Sequence, residues 1–350
     1  MLFCRVDLPY HARFRLRRKS VTRTLEIIAA TLALGLACAA AAQEPLRVNT
    51  FPNATNLALY LGLAKGVFEK RGVRLDLRFT QNSEAQRGGL AAGEFELAYS
   101  AVDNAVAMVE LAREDVIIVA GGDSSMNEFM VRPEIASLAD MRGRTLVVDR
   151  PNTAYALQAK KILRNAGLLE GRDYAVKSVG FTPDRIAAMQ KGVENAAAGM
   201  LNPPFSFAAK DQGLKSFGRA IDLIGPYQGG GFFVMRAWAR AHGALLERFL
   251  AAYIEATRMA LAPANRVESI ALLASRLKQD TKVAERTYDE ALTQPRFGLA
   301  TDARFDLEGF KAVLALRAEI EGQWGGKPPA PEKYLDLGYY ERAMQLLERR

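Results

Sequence analysis

The sequence predicts an α/β chain of two similar lobes, each a mixed, mostly parallel sheet flanked by helices, followed by a helical C-terminal tail. Three observations carry this. Strands alternate with helices after residue 43, the same order returns about 99 residues further on, and from Ala237 the pattern is helical throughout. Alternating strands and helices build a largely parallel sheet.

In the first half, strands are expected over residues 46–50, 73–79, 95–99 and 116–121, from apolar alternation or continuous apolar runs. Helices are expected over 55–65, 83–92 and 103–113. In the second half, strands at 145–149, 174–179 and 196–201 enclose helices at 153–165 and 183–191. Shifting one half onto the other by 99 places Pro52-Asn53 on Pro151-Asn152, Gly72 on Gly171, Ser83 on Thr182, Gly93 on Gly192 and Asp103 on Asn202. Both members of each pair play the same local role, as a strand-to-helix turn, a chain break or a helix cap. Tail helices are expected at 238–261, 266–277, 282–292, 306–320 and 339–347, covering one lobe.

The divisions follow: 1–42 as a signal peptide, 43–122 with 229–350 as the first lobe, and 123–228 as the second. Gly121-Gly122-Asp123-Ser124-Ser125 and Gly225-Pro226-Tyr227-Gln228-Gly229-Gly230-Gly231 stand at the two crossings. Their glycines suit hinge strands or plain tight turns equally well.

Arg13, Arg15, Arg17, Arg18, Lys19 and Arg23 precede an apolar stretch over 27–42 that ends in small residues at Ala40 and Ala42. That is the build of a cleavable export signal, and the apolar run is short for a bilayer span. Lipid anchoring at Cys38 is not expected, because Gly35 stands where a large aliphatic residue is needed. Arg17-Arg18 is followed by Lys19-Ser20-Val21, a poor continuation for the twin-arginine route.

The first 42 residues hold seven Lys or Arg and two Asp or Glu, so five of the eight net positive charges belong to the signal and +3 remains. Cys4 and Cys38 fall there too, leaving no thiol in the folded part and His242 as its one histidine. A cysteine nucleophile, disulfide, thiolate metal site and multi-histidine cluster are thereby excluded. No calcium-loop or P-loop spacing occurs, and basic residues are interleaved with acids. Neither a cofactor nor nucleic acid is expected.

In a parallel sheet, ligands sit beyond the carboxyl ends of the strands. The residues that follow strands are therefore the binding candidates: Phe51, Asn53, Asn56, Asn82, Ser83, Ser100, Asp103, Asn104, Arg150, Asn152, Thr153, Phe181, Thr182, Asn202, Tyr227 and Gln228, with Gln81 beside them. Amides, hydroxyls and aromatics hold a small polar solute without reacting with it. Helix capping explains Ser83, Asp103, Thr153 and Thr182 equally well. Ser100 has no histidine near it in sequence, so no catalytic set assembles and no enzymatic activity is expected.

Residues 46–65 are followed by Gly66-Val67-Phe68-Glu69-Lys70-Arg71-Gly72-Val73, Leu90-Ala91-Ala92-Gly93-Glu94-Phe95-Glu96-Leu97-Ala98 and Ser137-Leu138-Ala139-Asp140-Met141-Arg142-Gly143-Arg144. In these stretches the chain resembles periplasmic solute-binding proteins of ABC importers, the group containing nitrate, alkanesulfonate, taurine and thiamine-precursor binders. The resemblance covers residues 46–260. It implies a type II clamshell fold, a solute held between the lobes, and closure that presents a monomeric periplasmic protein to a membrane permease, its one contact with the membrane. Glu96 departs conservatively from the family's frequent Asp. Relatives that synthesise the thiamine pyrimidine use a histidine and a cysteine-rich motif, which this chain lacks.

An anionic solute would want an arginine, and Arg150 either supplies it or forms a surface salt bridge. Phe51, Phe181 and Tyr227 suit a stacked ring. The expectation is a small organic anion: a sulfonate, carboxylate or aromatic acid. The alternatives are a secreted enzyme of the same fold acting on a small heterocycle, and a ligand-sensing partner of a membrane receptor.

Overall fold

The computed structural model describes residues 45–349, so the expected signal peptide and both cysteines lie outside the described residues. The first sheet contains β1 (Leu46–Thr50), β2 (Leu75–Phe79), β3 (Leu97–Ala101), β4 (Val116–Gly121) and β10 (Gly230–Met235), in the order β2-β1-β3-β10-β4. The second contains β5 (Glu128–Val131), β6 (Thr145–Val148), β7 (Ala175–Ser178), β8 (Ala196–Leu201) and β9 (Lys215–Arg219), in the order β7-β6-β8-β5-β9. In each, four strands run in one direction and the fifth enters antiparallel between two of them: β10 between β3 and β4, β5 between β8 and β9.

The repeat is a repeat of structure. Strands β1 and β6 begin 99 residues apart, as do β3 and β8. Helices α3 (Ser83–Ala91) and α6 (Thr182–Lys191) keep the same interval. Position in the sheet explains composition. Central β8 is buried along its whole length, and so is β4, an edge strand that the tail covers where Leu335 bridges Ile118, whereas edge strands β2 and β7 carry Asp76, Arg78 and Lys177. Strands β5 and β9 were not expected from the sequence; they are short, and β9 carries Lys215 and Arg219 at its ends.

The flanking helices are α1 (Leu57–Ala64), α2 (Val67–Lys70), α4 (Asp103–Leu111), α5 (Ala154–Asn165), α7 (Phe205–Asp211) and α8 (Ala220–Ile224). Asn53 caps the 3-10 turn before α1, accepting from the Thr55 N–H at 3.1 Å, and Asn82 caps α3 through the Ala85 N–H at 2.8 Å.

The tail contains α9 (Arg236–Ala241), α10 (Gly243–Leu261), α11 (Arg266–Leu277), α12 (Thr281–Thr287), α13 (Leu307–Glu321) and α14 (Gly338–Glu348). The single helix expected over 238–261 breaks at His242. Rather than covering one lobe, the tail touches both. Helix α10 places Phe249 and Tyr253 against Phe232 of the first sheet. Helix α13 meets α5 of the second through Lys161–Glu319 at 2.7 Å and Lys160–Glu321 at 3.4 Å. One apolar core joins Val106 and Phe310 with Leu157 and Phe207, which makes the contact a packed interface and not a rim of charges.

Two chain crossings connect the sheets, one between β4 and β5 and one between α8 and β10. They lie side by side: the Gly229 N–H donates to the Asp123 carbonyl at 2.9 Å, and the Gly230 N–H to the Asp123 carboxylate at 3.0 Å.

Candidate functional site

A cavity of about 110 Å³ opens where the ends of β1, β3, β6 and β8 converge on the two crossings. Its wall includes Phe51, Asn53, Ser83, Ser100, Asn104, Thr153, Phe181, Thr182, Asn202 and Tyr227, ten of the sixteen residues singled out from sequence, and Gln81 as well.

The other six lie elsewhere. The Asn56 amide donates to the Phe51 carbonyl at 2.6 Å and its oxygen accepts from Thr50 Oγ1 at 2.9 Å. Asn82 is the α3 cap. Asp103 is buried against Arg317, and the Asn152 carbonyl accepts from that arginine at 3.3 Å. Gln228 braces the second crossing, donating to the Gly230 carbonyl at 2.6 Å and accepting from the Asp306 N–H at 2.7 Å. Arg150, the arginine expected to meet an anion, is partly exposed and paired with Glu84 at 3.1 Å. Both ends of the β6–α5 turn, Asp149 and Thr153, line the cavity, but Arg150 and Asn152 in its middle turn away from the wall.

The arginine that does line the cavity is Arg185, one turn into α6 and 2 % exposed. It donates to the Gly180 carbonyl at 2.6 Å and to Thr182 Oγ1 at 3.0 Å, while its Nε has no hydrogen-bond partner. Among the described residues it has no ion pair. Burial lowers its pKa, against the opposing pull of Asp149, Tyr155 and Asp184. A guanidinium stays charged even so, and this one stands 5.7 Å from the centre of the Tyr155 ring.

Two carboxylates share the wall. Asp149 accepts from Thr153 Oγ1 at 2.6 Å and from Ser83 Oγ at 3.0 Å, a bond that joins the two sides of the cleft. Asp123 accepts the N–H groups of Ser125 at 2.9 Å and Gly230 at 3.0 Å, yet burial pushes its pKa up to about 6. Only glycines fit around it: a Cβ on Gly229 or Gly230 would lie 2.4 Å from one of its oxygens.

Several of the remaining polar groups are held by other side chains, whereas the buried Tyr227 hydroxyl has no hydrogen-bond partner. Ser100 Oγ donates to Gln86 at 2.6 Å and accepts from Asn104 at 3.2 Å; Asn127 donates to Gln158 at 2.9 Å. Phe181 and Phe205 meet edge to face at 5.8 Å. With its hydroxyl committed to an amide oxygen, Ser100 has no base, and His242 is stacked on Trp238 in the tail. Among the described residues there is no group of three His, Cys, Asp or Glu able to hold a metal ion, and no helix long and apolar enough to cross a membrane. Such a wall can enclose, orient and desolvate a small solute.

Residues 53–265 match the family model described as NMT1/THI5 like. Among solved structures, the periplasmic aliphatic sulphonate binding protein SsuA from Escherichia coli is 21% identical, with a TM-score of 0.63 over 85% of this chain and 92% of that one. The periplasmic nitrate-binding protein NrtA from Synechocystis PCC 6803 is 13% identical, with a TM-score of 0.72 over 88% and 90%. The desulfurization enzyme DSZB is 14% identical, with a TM-score of 0.57 over 87% and 99%. No curated protein matches the chain in sequence.

Proposed function

The chain belongs to the NMT1/THI5-like family, and on that premise we propose that it is the extracytoplasmic solute-binding subunit of an ABC importer. It captures a small organic solute bearing an anionic group between two lobes, 43–122 with 229–350 and 123–228, and delivers it to a membrane permease. The protein works as an exported monomer in the periplasm. The adjacent crossings at Asp123 and Gly229-Gly230 act as the hinge.

One observation carries this reading: Arg185, buried in the cavity wall with an unsatisfied Nε and no ion pair. Burying a guanidinium without a counter-charge is costly, and a bound anion recovers that cost. The likeness to sulphonate- and nitrate-binding proteins supports the same class. So does the cavity volume, which suits a molecule of roughly benzene size.

The test is a thermal-shift screen of the exported form with sulfonates, aromatic acids, nitrate and pyrimidines, followed by small-angle scattering. A solute that raises the midpoint and compacts the protein supports import; a flat screen with unchanged scattering ends it. The likeness to a desulfurization enzyme favours a second reading, an enzyme of the same fold. It predicts turnover of the bound solute that is lost in Ser100→Ala, whereas a binder returns its ligand intact.

A further inference from the structure

The charges that line the cavity are Asp123, Asp149 and Arg185, two carboxylates and one guanidinium. Neither carboxylate has a Lys or Arg partner within ion-pair distance among the described residues; their partners are hydroxyls and backbone N–H groups. The two acids are not equivalent. Asp149 is close enough to Arg185 to oppose the fall in its pKa. Asp123 is held by two backbone N–H groups and, among the described residues, has no Lys or Arg within ion-pair distance. Tyr155 stands between the two ends: burial raises its hydroxyl pKa, Arg185 lowers it, and Asp123 and Asp149 raise it further.

The balance of charge selects the solute. A plain anion satisfies Arg185 but adds negative charge to a desolvated wall whose two carboxylates already outnumber its one guanidinium. A plain cation satisfies Asp123 and leaves the Arg185 Nε without an acceptor. Both carry the penalty of an unpaired buried charge. Only a solute with both charges matches each group and adds no net charge. We propose that the cavity takes a zwitterion, its anionic group against Arg185 and its protonated nitrogen against Asp123, with a compact or aromatic body beside Tyr155. This rests on the solute-binding reading above and narrows it from organic anions to amino acids in the broad chemical sense.

The experiment uses two matched triads, each a zwitterion, anion and cation on one body: para-aminomethylbenzoate, para-toluate and para-methylbenzylamine; and γ-aminobutyrate, butyrate and butylamine. Calorimetric titration of the protein at pH 7.5 should show the zwitterion of at least one triad bound about tenfold or more tighter than both its relatives, the scale of one buried charge pair. Asp123→Asn should bring zwitterion and anion to similar affinity, and Arg185→Gln should do so for zwitterion and cation.

Asp123→Asn also removes an acceptor from the crossing, so the pH profile of the unmodified protein supplies the second measurement. The groups that face Asp123 are the Ser125 and Gly230 N–H groups and the hydroxyls of Tyr99, Tyr155 and Tyr253, none of which titrates near neutrality. Zwitterion affinity should therefore fall as pH drops below 6, while anion affinity does not. An anion or cation that binds as tightly as its zwitterion overturns the inference and leaves solute binding intact. Binding of some other solute class with neither zwitterion bound does the same. A protein that binds nothing in the triads or the wider screen overturns both readings.

Discussion

Arg317 donates to the Asp103 carboxylate at 2.6 Å with neither side chain more than 1 % exposed, and the same nitrogen reaches the Asn152 carbonyl at 3.3 Å. Tail helix α13, the start of α4 and the β6–α5 turn thus meet at one buried guanidinium. Burial by itself would lower the Arg317 pKa, but the Asp103 charge and hydrogen bond outweigh it and the net shift is upward. Arg185 is buried to nearly the same degree and shifts the other way, because no carboxylate pairs with it. One arginine is paired inside the fold, and the other lines the cavity with no ion pair among the described residues.

That contrast is measurable. Arg317→Ala leaves Asp103 buried and unpaired and should cost about 3–5 kcal/mol in urea unfolding. Asp103→Asn should cost less, since it removes one charge while keeping an acceptor. Equal, small effects would mean that the pair contributes nothing beyond its volume.

Arg185→Met should leave the ligand-free protein as stable as before or stabilise it by about 1 kcal/mol, because it removes an uncompensated buried charge. Binding of any anionic solute should fall more than tenfold. A loss of stability on the scale of Arg317→Ala would identify Arg185 as a structural group.

Asp123 gives the stability curve a recognisable slope. Its folded pKa of about 6 lies above the ordinary aspartate value of 3.8, so between those values the folded state binds more protons than the unfolded one. This contribution grows as pH falls from 7 through 6 towards 4, to about 3 kcal/mol in full, and is lost again as pH rises. Asp140 and Asp173, held low by backbone hydrogen bonds, slope the opposite way. Unfolding of Asp123→Asn at matched pH values isolates the Asp123 contribution: the difference between the two proteins should shift in favour of the parent on going from pH 7 to pH 5.

Ser83 and Asp149 join the two sides of the cleft at 3.0 Å, beside Glu84 and Arg150 at 3.1 Å. The second pair is exposed and is worth roughly 0.5 kcal/mol at most. Ser83→Ala should raise the radius of gyration of the ligand-free protein and speed ligand release. Arg150→Ala should do either only slightly. A larger effect from Arg150 would reverse their order.

The parallel strands, the helices between them and the repeat were all legible in the sequence, because apolar periodicity and paired turn residues report them directly. Strands β5 and β9 were not. They are as long as β6 and β1, but they stand outside the alternation of parallel strands with helices, and antiparallel pairing across the sheet defines them. Collecting residues that follow strands found the polar wall and missed its charges. Arg185 sits three residues after Thr182, and side chains one turn into a helix lean back towards its N-terminus. That spacing was the available signal. Asp123 was visible only as part of a glycine-rich crossing, and nothing local says that its carboxylate is buried.

The order of strands also sets an order of events. All five strands of the second sheet lie within residues 128–219, so that half can pair as soon as its own segment is free. The first sheet cannot. Apolar β4 has β10 as its one neighbour strand, and β10 ends at Met235. A chain emerging from its N-terminus must hold Val116–Gly121 without a partner while more than a hundred residues follow. Non-local pairing of this kind is slow and exposes apolar surface. The lobe that starts first is the lobe that finishes last, and its unpaired strand is where a chaperone would be needed.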